Sequence, residues 1–398
     1  MDHLLILTHF AIVLLLGLFC TLIANKFRIS NILLLILTGI FLGKITYQGS
    51  DLFSFTPEMV TSIGILALVM ITFDGSSRFK LREFDELSLA ALKLSGVFIL
   101  MNLIFLSLAV KLMFGIQTTF LAVIFAFVLS GTSPSAVLTI FKDKTSRVIQ
   151  FLEIESILNT PMVVLLPFIV ADLMTSIKTD FISKFIEQIT PFIAQIVVGI
   201  GSGILIGFIV FKVMKREYSE QLSPLALFIA ALLTYVIAEN LGGNGVLAVA
   251  TLGLFFGSVY VKQKAQLMEF STLLSNILEI LIFIFVGMII NIEFSSVFIL
   301  KSSILFLFYV LLRYAAVMIS LSQKPYTQKE KIFMTLNMPK GISVAVVALI
   351  LQTREIPGME QILDLLLIFM IYSLVLSIVS TKFAGFFIEF KEVEKDAS

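Results

Sequence analysis

Thirteen apolar stretches follow one another with only short polar fragments between them, at roughly 3–24, 29–46, 58–75, 88–114, 118–141, 148–175, 190–214, 221–239, 243–261, 268–290, 296–321, 330–352 and 360–388. A helix needs about 20 apolar residues to cross a bilayer, and the fragments leave no room for a separate soluble domain. The expected fold class is therefore an all-α polytopic membrane protein of about thirteen transmembrane helices. Residues 1–398 form one transmembrane domain, and 389–398 form a short cytoplasmic tail. With 59% hydrophobic and 14% charged residues and a mean hydropathy of +1.06, an ordinary soluble domain is excluded. A net charge of +1 gives no global attraction to nucleic acid. Cys20 is the one cysteine, there are two histidines, and no HExxH or other catalytic motif occurs. No intramolecular disulfide, metal site, cofactor or enzyme activity is expected.

Met1-Asp2-His3 precedes the first apolar stretch, and the basic Lys26 and Arg28 follow it, so this stretch is expected to be a retained helix rather than a cleaved signal. Basic residues then concentrate in alternate loops. Arg78, Lys80 and Arg82, then Lys142, Lys144 and Arg147, then Lys212, Lys215 and Arg216, and later Lys324, Lys329 and Lys331, mark one side. The positive-inside rule puts that side and the C-terminus in the cytoplasm of a cell membrane, and the N-terminus outside.

The sixth span, RVIQFLEIESILNTPMVVLLPFIVADLM, carries Glu153, Glu155, Ser156, Asn159 and Thr160 in its first half. Ionisable groups at membrane depth cost at least ~2.5–3.5 kcal/mol and face a bundle interior or a wet cavity. Glu155 and Asn159, four apart, share a helix face, and Pro161 frees a carbonyl one turn earlier, near Ile157. Such a face can hold a cation. Two further spans are interrupted: the fifth at Gly131 and Pro134, the twelfth at Pro339 and Gly341. Matching interruptions in two halves point to a transporter with inverted repeats. They suit two six-helix repeats, about 3–175 and 221–388, joined by a linker helix at about 190–214, with broken helices 5 and 12 crossing. Near the crossing, helix 5 offers Thr132 and Ser133, helix 12 offers Lys340 and helix 11 offers Arg313.

These segments resemble the cation:proton antiporter superfamily in its NhaP-like and sodium/proton-exchanger branch. ESILNTP is similar to that family's ESxxND-P segment and GTSPSAV to its T-D-P segment. LLRYAAVMIS resembles its arginine helix and MPKGISVAVVAL its G-P-R-G segment. GGNGVLAVATLGLFFGS and ITFDGSSRFKL also match family blocks, all in family order. The resemblance implies alternating access by an elevator-like core moving against a dimerisation domain, hence a homodimer. It implies exchange of Na⁺ or another monovalent cation for H⁺ at an aspartate on helix 6, and a buried Glu155–Arg313 pair. The family's essential aspartate, however, falls at Thr160, the aspartate of T-D-P at Ser133, and the helix-12 arginine at Lys340.

Each residue has a structural alternative. Glu155 either pairs with Arg313 or takes part in transport. Asn159 holds the unwound segment or binds the ion, and Ser133 and Thr160 are packing hydroxyls or cation ligands, with Ser156 and Thr132 as further candidate ligands. Lys340 balances helix-end carbonyls or carries the proton. Asp74, placed at the start of a loop, is a surface or capping acid or a ligand, and Glu279 has a structural partner or an ion role. Neither Thr160 nor Ser133 titrates near neutral pH, so any proton coupling is expected to use Lys340 or Glu279. The rival to cation:proton exchange is a transport-inactive or uncoupled homologue acting as a sensor, partner subunit or leak pathway.

Overall fold

The computed structural model describes residues 3–27, 29–47, 50–51, 53, 55–78, 86–133, 144–176, 181–216, 219, 222–289, 295–354, 356–389 and 391–392. The chain runs through α1 (His3–Phe27), α2 (Asn31–Gly43), α3 (Pro57–Ser77) and α4 (Glu86–Met101). A π-helical turn, Asn102–Leu106, leads into α5 (Ser107–Phe114), followed by α6 (Thr119–Leu129) and α7 (Arg147–Ser176). Next come α8 (Phe181–Arg216), α9 (Leu222–Asn240), α10 (Gly245–Ser258), α11 (Lys264–Ile289) and α12 (Ser296–Ser320). The last are α13 (Gln328–Leu336), α14 (Ile342–Thr353), α15 (Met359–Lys382) and the single turn α16 (Ala384–Phe387). Two antiparallel pairs of two-residue strands, Thr46–Tyr47 with Ser50–Asp51 and Lys144–Thr145 with Lys391–Glu392, close loops.

Among the described residues, nine helical runs are long and apolar enough to cross a membrane, and four shorter apolar helices accompany them. Every expected span contains a helix. The fifth span is described only to residue 133, so Pro134 and the remainder of that span lie outside the described residues. The twelfth is divided into α13 and α14 by the non-helical stretch 337–341. The outer faces are apolar: Ile193, Val197, Ile204, Leu205, Phe208 and Val213 are all exposed along α8. That surface suits lipid, where only helices with their backbone bonds internal are stable as single segments.

The helices pack as two bundles. One is built from α1–α3 and α8–α11; the other gathers α4–α7 with α12–α15, and α14 and α7 lie along the seam against α3. In the first bundle α2 crosses α11 with Gly39 against Gly287, where a Cβ on Gly39 would come within 2.8 Å of the Gly287 Cα. Small residues permit this backbone approach in a setting where packing, not hydrophobic exclusion, holds helices together. Gly287→Leu is expected to break the contact, at the upper end of the ~1–3 kcal/mol typical of overpacking. Loss of the monodisperse peak in detergent size-exclusion chromatography would register it, and an unaltered peak and melting temperature would refute it.

One placement differs from expectation. Asp74 does not begin a loop but lies inside α3, which continues through Gly75–Ser77. The Ser76 hydroxyl donates back to Thr72 O at 2.7 Å and that of Ser77 to Asp74 O at 2.9 Å, so these polar residues satisfy the helix instead of ending it.

Candidate functional site

The two interruptions meet. After α6 the backbone is non-helical at 131–133, and Ser133 N–H donates to Pro339 O at 2.9 Å across the gap between α13 and α14. Gly341 lies directly against Ser133; a methyl group on Gly341 would overlap the serine side chain. Glycine is therefore what lets the two stretches touch.

A helix end leaves carbonyls without intrahelical partners and with partial negative charge. Lys340, fully buried in the second break, answers those of the first. Its Nζ donates to Leu129 O at 2.6 Å and Gly131 O at 2.5 Å, and also to the Tyr309 hydroxyl. An ammonium has three N–H donors, so all three are used. Tyr309 on α12 donates its own hydroxyl hydrogen to Leu129 O at 2.8 Å. On the other side of α6, Asn102 of the π-turn donates to the Ser130 hydroxyl at 3.0 Å. Asn337 caps the end of α13 through Phe333 O and accepts from Ser377 and Thr381 of α15.

Glu155 of α7 and Arg313 of α12 form a two-pronged pair, Nη1–Oε1 and Nη2–Oε2 both at 2.6 Å, with side chains 1% and 0% exposed. The guanidinium also stacks over Phe98, 4.9 Å from the ring centre. One turn along α7, Asn159 donates to the Thr132 hydroxyl at 2.7 Å, while its own Oδ1 is buried without a hydrogen-bond partner among the described residues. Thr160 turns its hydroxyl back to Ser156 O at 2.8 Å. α7 runs on unbroken through position 161.

Beside this crossing lies a cavity of about 550 Å³ between the two bundles. Thr132, Ser133, Ser156 and Thr160 line it from one bundle; Asp74 and Glu279 line it from the other. Thr160 and Glu279 each lie about 20 Å along their helices from the ends that carry Arg147 and Lys264, and both line the cavity, one from each bundle. Glu279 makes no hydrogen bond or ion pair with any described residue. Nearer the rim, Asp74 Oδ2 pairs with Arg78 at 3.0 Å, and Thr272 of α11 joins both, donating to Asp74 Oδ1 at 2.9 Å and accepting from Arg78 at 2.8 Å. Glu153 of α7 faces the same cavity.

The structure thus gathers Asn159, Thr160, Ser156, Thr132 and Ser133 at one wall, holds Glu155 and Arg313 together behind it, and places Lys340 under the breaks. Glu279 stands across the cavity. Tyr309, Asn102, Asn337 and the Asp74–Arg78–Thr272 cluster were not assigned to the site from sequence. Asn102 carried a usable signal, an asparagine in the apolar run ILMNLIFL.

A family profile described as "Sodium/hydrogen exchanger, transmembrane" matches residues 11–385. Probable Na(+)/H(+) antiporter 2 of Methanocaldococcus jannaschii is 25% identical over 352 residues, 83% of this chain and 81% of the relative. Na(+)/H(+) antiporter 1 of the same organism is 23% identical over 384 residues, 91% of this chain and 87% of the relative. The K(+)/H(+) antiporter NhaP of Alkalimonas amylolytica is 26% identical over 284 residues, 69% of this chain but 48% of the relative, so the match spans about half of that protein. The solved structure of the sodium proton antiporter MjNhaP1 from M. jannaschii at pH 8 superposes with a TM-score of 0.81 at 20% identity, over 97% of this chain and 98% of that one, a likeness of fold. With its match running across almost the whole sequence, this multi-pass membrane protein belongs to the sodium/hydrogen exchanger family.

Proposed function

We propose that this protein is a secondary transporter exchanging a monovalent cation, Na⁺ foremost, for protons by alternating access, through an atypical ion site. Coupled exchange needs one group that a proton and a metal cation neutralise in turn. Glu155 is committed to Arg313 on both oxygens, and Lys340 spends two N–H groups on the carbonyls of the first break and the third on the Tyr309 hydroxyl. Glu279 is a carboxylate that lines the cavity together with Thr160 and makes no hydrogen bond or ion pair with any described residue, and this observation carries the reading. In it, Thr160, Ser156, Thr132, Ser133 and Asn159 supply neutral oxygens to the cation and Glu279 takes the proton. Lys340 is then a fixed counter-charge and not the proton carrier.

The same reading includes two inverted repeats of six helices, about 3–175 and 221–388, around a linker at about 190–214. It also includes a homodimer in the cell membrane, with the N-terminus outside and the C-terminus cytoplasmic. The two-bundle packing supports a core that moves against a scaffold.

The presence of threonine at 160 and serine at 133 favours a second reading, in which the protein no longer couples cations to protons and serves as a sensor, partner subunit or leak. Purified protein in proteoliposomes with a preset pH gradient separates the two. Addition of Na⁺, K⁺ or Li⁺ is expected to collapse the gradient, and Glu279→Gln to abolish that response. A gradient indifferent to all three cations selects the second reading.

A further inference from the structure

At the mouth of the cavity stands a positive charge that belongs to the protein itself. Arg78 is exposed, with its side chain 44% accessible, and reaches into a rim whose other charged groups among the described residues are acidic: Asp74 on its own helix and Glu153 on α7, with Glu279 on α11. The guanidinium is not loose. It pairs with Asp74 at 3.0 Å and donates to Thr272 on α11 at 2.8 Å, so α3 and α11 both fix its position. Its charge also acts on Glu153, which lies on the other bundle. A metal cation entering by this rim meets carboxylates that already have a cationic partner, and it approaches Glu279 past a like charge. Lysine or arginine held on a flexible stem would swing away; the Thr272 bond prevents that.

We infer that Arg78 is a tethered cation that competes with the transported one, setting a low apparent affinity for monovalent cations at this cavity. The inference deepens the reading above, since it takes the cavity as the cation's path. The effect is long-range and partly screened, because the cavity separates the exposed guanidinium from the oxygens deeper in it. It acts on binding rather than on the moving step, so it lowers affinity without slowing turnover.

The test uses the full chain with Na⁺, K⁺ and Li⁺ chlorides, balanced with choline chloride to hold ionic strength constant. Cation-dependent rise of the melting temperature in detergent gives an apparent Kd, and proteoliposome flux gives KM and maximal rate. R78Q is expected to tighten both constants about threefold to tenfold for all three cations, with the maximal rate changed by less than about twofold. R78K, which keeps the charge, is expected to resemble the parent. If R78Q does not fold, R78C in a C20S background offers a single thiol at this position. That thiol can carry a cationic or an anionic thiosulfonate adduct, and affinity is expected to be weaker with the cationic one. Equal constants across these charges, or no cation-dependent stabilisation in any form, overturn the inference. The charge-dependent order in Kd without any flux would leave the inference standing and remove the transport reading. Flux with a KM indifferent to residue 78 would do the reverse.

Discussion

Glu155→Gln is expected to destabilise the protein by about 3–5 kcal/mol, because it leaves the Arg313 guanidinium charged, buried and without its counter-ion. The pair is two-pronged at 2.6 Å and wholly out of solvent, and it ties α7 to α12 immediately behind the oxygen wall of the cavity. Phe98, stacked on the guanidinium, cannot replace a carboxylate. The thermal midpoint in detergent should therefore fall clearly below that of the parent. Removing both charges together, Glu155→Gln with Arg313→Met, should recover part of the loss, since an isosteric apolar or neutral replacement of a buried pair is often tolerated. A single variant as stable as the parent, or a double variant no better than the single, would show that the pair does not organise the core.

The second large effect is a gain. Thr160→Asp places a carboxylate on the cavity wall beside Ser156 and Thr132, where a cation would otherwise meet only neutral oxygens. Its cation affinity should rise at least about tenfold, equivalent to ~1.4 kcal/mol, and Na⁺-dependent proton flux should appear or increase strongly. Ser133→Asp added to it brings a second carboxylate to the lining of the cavity. Proton flux in proteoliposomes is the measurement. If the parent already exchanges with high affinity and Glu279→Gln leaves that intact, the assignment of the coupling group is wrong.

Much of the architecture was readable because hydrophobic length is a direct statement about a bilayer. The interruptions at Gly131 and Pro339–Gly341 were equally plain, since a proline removes a helix hydrogen bond and a glycine costs backbone entropy, although α7 continues through Pro161 and α8 through Pro191. The partners of Lys340 were not. Leu129 and Gly131 contribute backbone carbonyls, whose availability depends on where α6 ends, and no side-chain pattern encodes that. Tyr309, in LFYVLLRY, is indistinguishable from an aromatic at a lipid face until α6 is packed against it. Asp74 was displaced because the run DGSS looks like a turn, whereas its hydroxyls cap their own helix. The Arg78–Thr272 contact joins residues 194 positions apart and belongs to tertiary structure alone.

The hydroxyl-lined wall also bears on time. Differences in affinity between related sites reside mainly in how fast the ligand leaves. A site whose Thr160 hydroxyl is already turned to Ser156 O, and whose carboxylate stands across the cavity, would release its ion quickly. Occupancy would then follow the surrounding cation concentration almost without memory. A transporter built this way would idle while the ion is scarce and run in proportion to its excess, as an overflow valve does.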